Sequence, residues 1–536
     1  MGKGVKGSWP NRAGIPVGRK SDIKEEGKMK VERLDEYSVM ADEVTGKVEI
    51  IKDPKELNLI YRLTIPKIEE ATQAFLDVIK SELLKEISIK PQEVLDPTVI
   101  KELKEKFYKK AFELIQKNIP KLSEYEKKFL AGRLVQRMLG LGDIEVLLSD
   151  DFLEEICVNS SKEPLWVYHK KFGWLKTNVF IPSEAEIQNF ASLVGRRVGR
   201  QITTLTPLLD AYLVTGDRVN ATLYPISVFG NTLTIRKFAR RPWAITDYIE
   251  MRTISQGVAA LLWLAIQYEM NLLIAGGTAS GKTTMMNILA SFIPQNQRVI
   301  SIEETREIKL PRYLQWIPLL TREPNPEGKG GVSMLDLMIN ALRMRPDRVI
   351  VGEIRRAREA EVLFEAMHTG HAVLSTIHAE TSDQVYRRLT NPPINLPDIM
   401  LEALQLILVM FRERRSGIRR VFELGELVPA AREAGRFGIK INTLFRWRSV
   451  KDEIIKENDS VRVLEELKLF TGMTENELRQ DLKEREKILG WMIKNKIRSL
   501  DSVGRVVVEF YARPEDLLHG IEKNKSPQEI FGEVMS

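Results

Sequence analysis

Several groups of residues have the types and spacing for phosphate chemistry. In "AGGTASGKTTMM" (275–286), Gly276, Gly281, Lys282 and Thr283 satisfy the pattern G-x-x-x-x-G-K-[ST]. Gly276, Gly277 and Gly281, with Thr278, Ala279 and Ser280 among them, let a run of backbone N–H groups turn inward on phosphate oxygens. A helix opening near Gly281 would aim its positive end at the same point. Lys282 would reach the β- and γ-phosphates and Thr283 would ligate Mg²⁺, with Thr284 completing the nucleotide-contacting set. A plain strand–helix turn would not need the lysine.

A phosphate loop needs a carboxylate from another strand to orient or deprotonate the attacking water. "RVIVGE" supplies Glu353 at the end of an apolar run, with Gly-Glu where most phosphate-loop proteins place an aspartate. "RVISIEE" ends in Glu303 and Glu304, two acids at the place where open α/β sheets bind ligands, and one of them could hold Mg²⁺ or its waters. A single glutamate at a strand end is ordinarily just solvated; three in one sheet with a phosphate loop are not easily dismissed. Three histidines crowd into "MHTGHAVLSTIHAET": His368, His371 and His378. His371 and His378 are seven apart, which on one strand sends them to opposite faces and argues against zinc. His378, at the strand end, is placed to sense the γ-phosphate.

These residues have to be carried by parallel strands. "NLLIA" leads into the glycine loop, and "RVISIE", "DRVIVGE" and "HAVLSTIH" follow it, separated by helical spacing. Short apolar strands alternating with helices indicate a parallel sheet covered on both faces. Upstream, "EEICVNS", "LWVYHKKFGWLKT" and "RVNATLYPI" read as strands with tight turns around a helix near 183–200. Residues 55–140 have helical spacing: in 96–119, Ile100, Leu103, Phe107, Ala111, Leu114 and Ile115 form one stripe, with Asp96 as the expected cap and Pro97 in the first turn. The expected organisation is a disordered basic arm (1–45), an N-terminal domain (46–240; helical leader 55–140, small α/β part 141–238), and an α/β ATPase domain with a helical C-terminal extension (241–536).

Composition narrows the class. At 536 residues the chain exceeds one core. Charged residues are 29% of it, and 81 lysines and arginines against 74 acids give a net charge of +7. The positive charge gathers in residues 1–20 and in "RERRSGIRR" (412–420), either of which could meet an anionic lipid face, nucleic acid or an acidic protein, or simply be solvated. The single cysteine, Cys157, excludes an intrachain disulfide and a cysteine zinc site, and is expected as a small buried hydrophobe. No apolar run reaches the roughly 18–20 residues of a membrane span. A secretory signal is not expected either, so the protein is expected to be soluble or peripheral, and its cysteine usage suits a reducing cytoplasm.

"GGTASGKTT", "ISIEETREIKLP", "ALRMRPDRVIVGEIR" and "TGHAVLSTIHAET" resemble, in order, the Walker A, Asp-box, Walker B and His-box motifs of the type II/IV secretion ATPases. The resemblance continues through "LTPLLDAYLVTGDRVNATL" and "LTIRKF" and covers roughly residues 130–450. "INTLFRWRSVKDE" and the stretch 482–518 look most like the motor ATPase of the archaellum, the archaeal flagellum.

That resemblance implies a homohexameric, Mg²⁺-dependent ATPase ring whose C-terminal domain has a RecA-like P-loop fold and whose ATP binds between the two domains. It implies that Arg218 and Arg236 contact the nucleotide phosphates, that Glu353, Glu303, Glu304 and His378 serve catalysis, and that Thr283 and Glu303 serve the metal. Glu304 stands where many members have Asp, so the roles within the acidic pair stay open. The family's zinc insert of four cysteines is excluded. Implied partners are a polytopic membrane platform protein and archaellum accessory proteins, with residues 1–20 as a lipid contact. A role in pilus assembly or protein secretion is the alternative. Nucleic acid is not an expected partner, because no aromatic-and-basic interleaving is present.

Overall fold

A computed structural model describes residues 31–87, 97–238, 242–322, 324, 328–413, 415, 417–431 and 437–532. The chain divides into two compact units, one ending at Lys237 and the other starting at Phe238.

The first unit runs β1 (Glu32–Ala41), β2 (Val44–Lys52), β3 (Ile60–Thr64), α1 (Glu70–Glu86), α2 (Pro97–Asn118), α3 (Glu124–Leu139), α4 (Ile144–Ser149), β4 (Leu153–Val158), β5 (Trp166–His169), β6 (Gly173–Thr177), α5 (Glu184–Arg197), β7 (Leu208–Tyr212), β8 (Arg218–Thr222) and β9 (Thr232–Arg236). Among the described residues its sheet has the order β1-β2-β3-β6-β5-β4-β9-β8-β7. Alternation drives these strands: in β8, Val219 and Ala221 turn into the core while Arg218 and Asn220 face out. In α2 the stripe Leu103, Phe107, Ala111, Leu114 and Ile115 is buried. The proposed cap Asp96 and the side chain of Ile100 lie outside the described residues. Cys157 is half-buried on β4, and burial pushes its thiol up to about 12.

Two sequence expectations are corrected here. Residues 32–45 are not part of a disordered arm; they form the β1–β2 hairpin. Residues 1–30, including the basic stretch 1–20, lie outside the described residues. The expected helical leader also contains a strand, β3, which pairs with β2 and β6. The hairpin is fixed by contacts remote in sequence. Tyr37 and Tyr61 both donate to Asp150 Oδ2, at 2.8 and 2.7 Å, and Gln136 donates to the carbonyl of Ala41 at 3.0 Å. Its turn, with Asp42 and Glu43 both at positive φ, lies against α3 at Gly132, where a Cβ would stand 1.9 Å from the Asp42 carbonyl oxygen. Gly132→Ala is therefore expected to destabilise the first unit by about 3 kcal/mol or more, because two backbones rather than a flexible side chain must separate. Thermal unfolding of the variant beside the parent measures this.

The second unit runs α6 (Ile245–Glu250), α7 (Gln256–Gln267), β10 (Leu272–Gly276), α8 (Lys282–Ala290), β11 (Arg298–Glu303), β12 (Gln315–Leu320), α9 (Met334–Leu342), β13 (Arg348–Val351), α10 (Ala357–His368), β14 (Ala372–Ile377), α11 (Ser382–Thr390), α12 (Asp398–Leu401), β15 (Leu406–Arg412), β16 (Arg419–Ala431), β17 (Phe437–Arg448), β18 (Glu453–Lys456) and α13–α17 (Arg462–Thr471, Glu475–Lys494, Leu500–Ala512, Pro514–Glu522, Pro527–Phe531). Its sheet order is β12-β11-β13-β14-β10-β15-β16-β17-β18, parallel from β12 to β15 and antiparallel beyond.

Every residue of β10, β13 and β14 is buried, as a strand covered on both faces requires. Leu272 and Ile274 join one core layer and Leu273 and Ala275 the other. The C-terminal helices pack into the first of these layers. Trp263 of α7 stacks on Phe292 and donates through Nε1 to Tyr511 of α15 at 2.8 Å. No helix among the described residues is long and apolar enough to cross a membrane.

Candidate functional site

Sheet order decides where the chemistry sits. β11, β13, β14 and β10 are successive neighbours, all parallel, so their carboxyl ends share one edge. Glu303 closes β11, Glu353 follows β13, His378 follows β14, and the glycine loop follows β10. At ~4.8 Å per strand, three spacings put the whole row within about 15 Å. Segments up to about 100 residues apart in sequence thus meet at one edge.

The loop has the backbone a phosphate cradle needs. Gly276 (φ 150°), Ala279 (φ 58°) and Gly281 (φ 96°) all take positive φ. A Cβ on Gly276 would lie 2.4 Å from Ser280 Oγ and 2.5 Å from the Met410 carbonyl, so glycine is obligatory there. Ser280 is buried and donates to the Gly277 carbonyl at 2.9 Å, bracing the loop internally, whereas Thr278 is exposed. Thr283 and Thr284 are half-buried at the start of α8.

Lys282 is buried beneath this loop. Its ammonium donates to the carbonyls of Gly276 (3.0 Å) and Gly277 (3.1 Å) and to His378 Nδ1 (3.3 Å). Burial holds its pKa below the ordinary lysine value, and the carboxylate of Glu353 works against that shift. An ammonium has no lone pair, so His378 Nδ1 must accept and the ring proton must sit on Nε2. His378 Nε2 lies 3.0 Å from Glu353 Oε1, within ion-pair distance. Burial, and then Lys282, lower the His378 pKa, which keeps the ring neutral at physiological pH. Lys282, His378 and Glu353 therefore form a continuous row of polar contacts.

The two adjacent acids are separated by the strand's alternation. Glu303 is buried: its Oε1 accepts from the backbone N–H groups of Glu307 and Ile308, both at 2.8 Å. Its Oε2 is buried with no hydrogen-bond partner among the described residues. Burial raises its pKa to about 7 against the lowering effect of those two amides. Glu304 is half-exposed and pairs with Arg355. An unshared carboxylate oxygen at the sheet edge and the Thr283 hydroxyl are hard donors of the kind Mg²⁺ takes, so these residues fit the ion.

A pH effect follows from Glu303. Its folded pKa lies above that of an exposed glutamate, so its stabilising contribution is complete below about 4.5 and is lost as pH rises through about 7. Without divalent cations, Glu303→Gln is expected to abolish that part of the decline in melting temperature between pH 5 and 8.

Arg218 and Arg236 belong to the first unit. They are register partners across β8 and β9, and Arg236 is also paired in register with Glu155 of β4. Arg218 forms a two-pronged ion pair with Asp210, at 3.0 and 2.6 Å. His368 binds the Met400 carbonyl and His371 the Ala366 carbonyl, both away from the Lys282 chain. The "RERRSGIRR" cluster is divided: buried Arg420 grips Asp452 with two bonds of 2.7 Å, while Arg419 donates Nε to the Ala279 carbonyl of the phosphate loop at 3.2 Å. Arg419 lies in "RERRSGIRR" and Arg355 in "ALRMRPDRVIVGEIR", neither with an assigned role of its own, and Tyr248, beside Gly281, was not singled out from the sequence. None belongs to the loop pattern; Arg419 and Tyr248 come from elements whose neighbours only the fold defines, whereas Arg355 follows Glu353 closely in the chain.

The sequence comparisons point to one family. Residues 213–416 match the family model "Type II/IV secretion system protein". Uncharacterized protein MJ0900 of Methanocaldococcus jannaschii is 36% identical over 416 residues, 76% of this chain and 74% of that one. Type IV secretion system protein PtlH of Bordetella pertussis is 31% identical over 306 residues, 51% of this chain and 89% of that one. The X-ray structure of the Legionella pneumophila ATPase DotB, 17% identical, aligns over 71% of this chain and 94% of its own with a TM-score of 0.38, too low to add to the sequence relationship. With the glycine loop, acidic strand ends and histidine strand in one row, and with PtlH matched at 31% identity over 89% of its length, this protein belongs to the type II/IV secretion system protein family.

Proposed function

We propose that the chain hydrolyses ATP with Mg²⁺ and works as a homohexameric motor that powers assembly of the archaellum. The chain Lys282–His378–Glu353 at the edge of adjoining strands carries the hydrolytic part. The backbone N–H groups of residues 276–284 and the α8 N-terminus hold the phosphates. Lys282 is under-solvated and offers its charge to the β- and γ-phosphates. Bound Mg²⁺, held through Thr283 and Glu303, would neutralise phosphate charge. Glu353 accepts a proton from the attacking water as the bond between the γ-phosphorus and the bridging oxygen breaks, giving ADP and phosphate. His378, between Lys282 and Glu353, senses whether Lys282 has turned to phosphate. Glu304, outside this chain, acts through Arg355.

The rest of the proposal concerns force. Arg218 and Arg236 are assigned to the phosphates as the N- and C-terminal domains close, so that the ATP state sets ring shape. The resemblance of residues 441–453 and 482–518 to the archaellum motor favours that filament, and a polytopic membrane platform as partner at the inner face of the membrane. Residues 1–20 would add a contact with anionic lipid. The likeness to PtlH favours the second reading, a pilus or secretion ATPase. Deleting the gene in the source organism separates the two. Loss of archaella with pili intact supports the first, loss of pili or secretion supports the second, and loss of neither overturns both. Salt-sensitive stimulation of turnover by single-stranded DNA would point instead to a nucleic-acid motor.

A further inference from the structure

Arg355 stands just after Glu353 in "EIRRAREAE" and reaches two acids from two strand ends. Its Nη2 donates to Glu353 Oε2 at 2.8 Å and its Nη1 to Glu304 Oε2. The other oxygen of Glu353 lies 3.0 Å from His378 Nε2. Arg355 thus holds one carboxylate oxygen by a hydrogen bond while His378 lies beside the other, and each oxygen keeps a lone pair for water. The Glu353 side chain is only 18% exposed, while that of Arg355 is 52% exposed. The backbone under Arg355 is itself anchored: its N–H donates to Glu359 Oε2 at 3.2 Å, where α10 begins.

We propose that Arg355 positions Glu353 for attack on ATP; this rests on the hydrolytic reading above. A guanidinium is planar and can bridge two carboxylates at once, which an ammonium does poorly. Sharing matters for charge as well as for geometry. One cation between two carboxylates leaves a net negative cluster, so Glu353 is oriented without being neutralised as a base. Glu304 supplies the second half of that arrangement. Arg355 is a positioning residue, because it touches the reacting groups only through Glu353.

Steady-state phosphate release and binding of a fluorescent ATP analogue test this on the full chain. Arg355→Ala is expected to lower kcat roughly 10- to 100-fold, the scale of an ~1 Å misplacement of a reacting group, with KM and nucleotide affinity near the parent's. Millimolar guanidinium should restore part of the loss. Arg355→Lys, which keeps the charge, should recover less than half of the parent rate. Glu304→Gln should lower kcat by a smaller factor, again without moving KM. Parent-like kcat in Arg355→Ala overturns the inference. So does a raised KM with unchanged kcat, which would make Arg355 a phosphate ligand. A parent chain that releases no phosphate at all would instead sink the hydrolytic reading.

Discussion

Lys282→Ala is expected to abolish measurable ATP turnover and to weaken nucleotide binding at least 10-fold. Lys282 lies under the phosphate loop with its charge only partly compensated: two backbone carbonyls and a neutral imidazole replace the water it gave up. Burial lowers its pKa for that reason. Phosphate oxygens are the counter-charge such an ammonium lacks, so their attraction exceeds that of an exposed lysine. Removing one positioned donor from a water-poor site typically costs ~10²–10³ in kcat. The cost to folding is smaller, on the order of 1 kcal/mol, since the carbonyls of Gly276 and Gly277 lose a donor. Lys282→Arg should also fail, because the wider guanidinium does not fit the space under a loop whose Gly276 already lacks room for a Cβ. Parent-like phosphate release by either variant would remove Lys282 from the mechanism.

Glu353→Gln is expected to separate binding from turnover. The amide keeps the size of the side chain and can still accept from Arg355 or His378, but it cannot take a proton from water. A general base contributes ~10²–10⁴-fold, so kcat should fall by that factor while ATP still binds. The variant should hold unhydrolysed ATP, recovered intact after rapid desalting. Recovery of ADP at the parent's rate would mean that another group activates the water. The substitution also removes the carboxylate that opposes the Lys282 shift, so burial lowers the lysine pKa further and phosphate becomes its main counter-charge.

Much of this site was legible in the sequence because its strands are short, apolar and bounded. "NLLIA", "RVIV" and "AVLSTI" each read as a buried strand, and in the fold each ends at the same edge. The order of the strands was not legible. That β13 sits between β11 and β14, so that Glu353 comes within reach of His378, depends on crossovers that leave no local mark. Nor could the identical neighbours Glu303 and Glu304 be told apart. Alternation guarantees that they face opposite ways, but which one faces inward is set by packing around β11.

The β1–β2 hairpin was missed for a different reason. "ERLDEYSVMA" buries only Val39, and composition that polar reads as an unfolded arm. What holds it is Tyr37 on Asp150, 113 positions away. Arg355 was missed because "RRAREAE" has the pattern of a solvated helix start. Likewise "RERRSGIRR" read as one basic patch, although Arg420 is buried on Asp452 and Arg419 reaches the phosphate loop.

The central claim is that this edge of the sheet hydrolyses ATP through Glu353. Single-turnover mixing of ATP and Mg²⁺ with excess full-length protein, followed by quantification of ADP, tests it most directly. The expected result is conversion of bound ATP to ADP by the parent chain, dependent on Mg²⁺, with Glu353→Gln binding the same amount and converting it at least ~100-fold more slowly. ATP that stays intact on the parent chain, or equal conversion by Glu353→Gln, would contradict it.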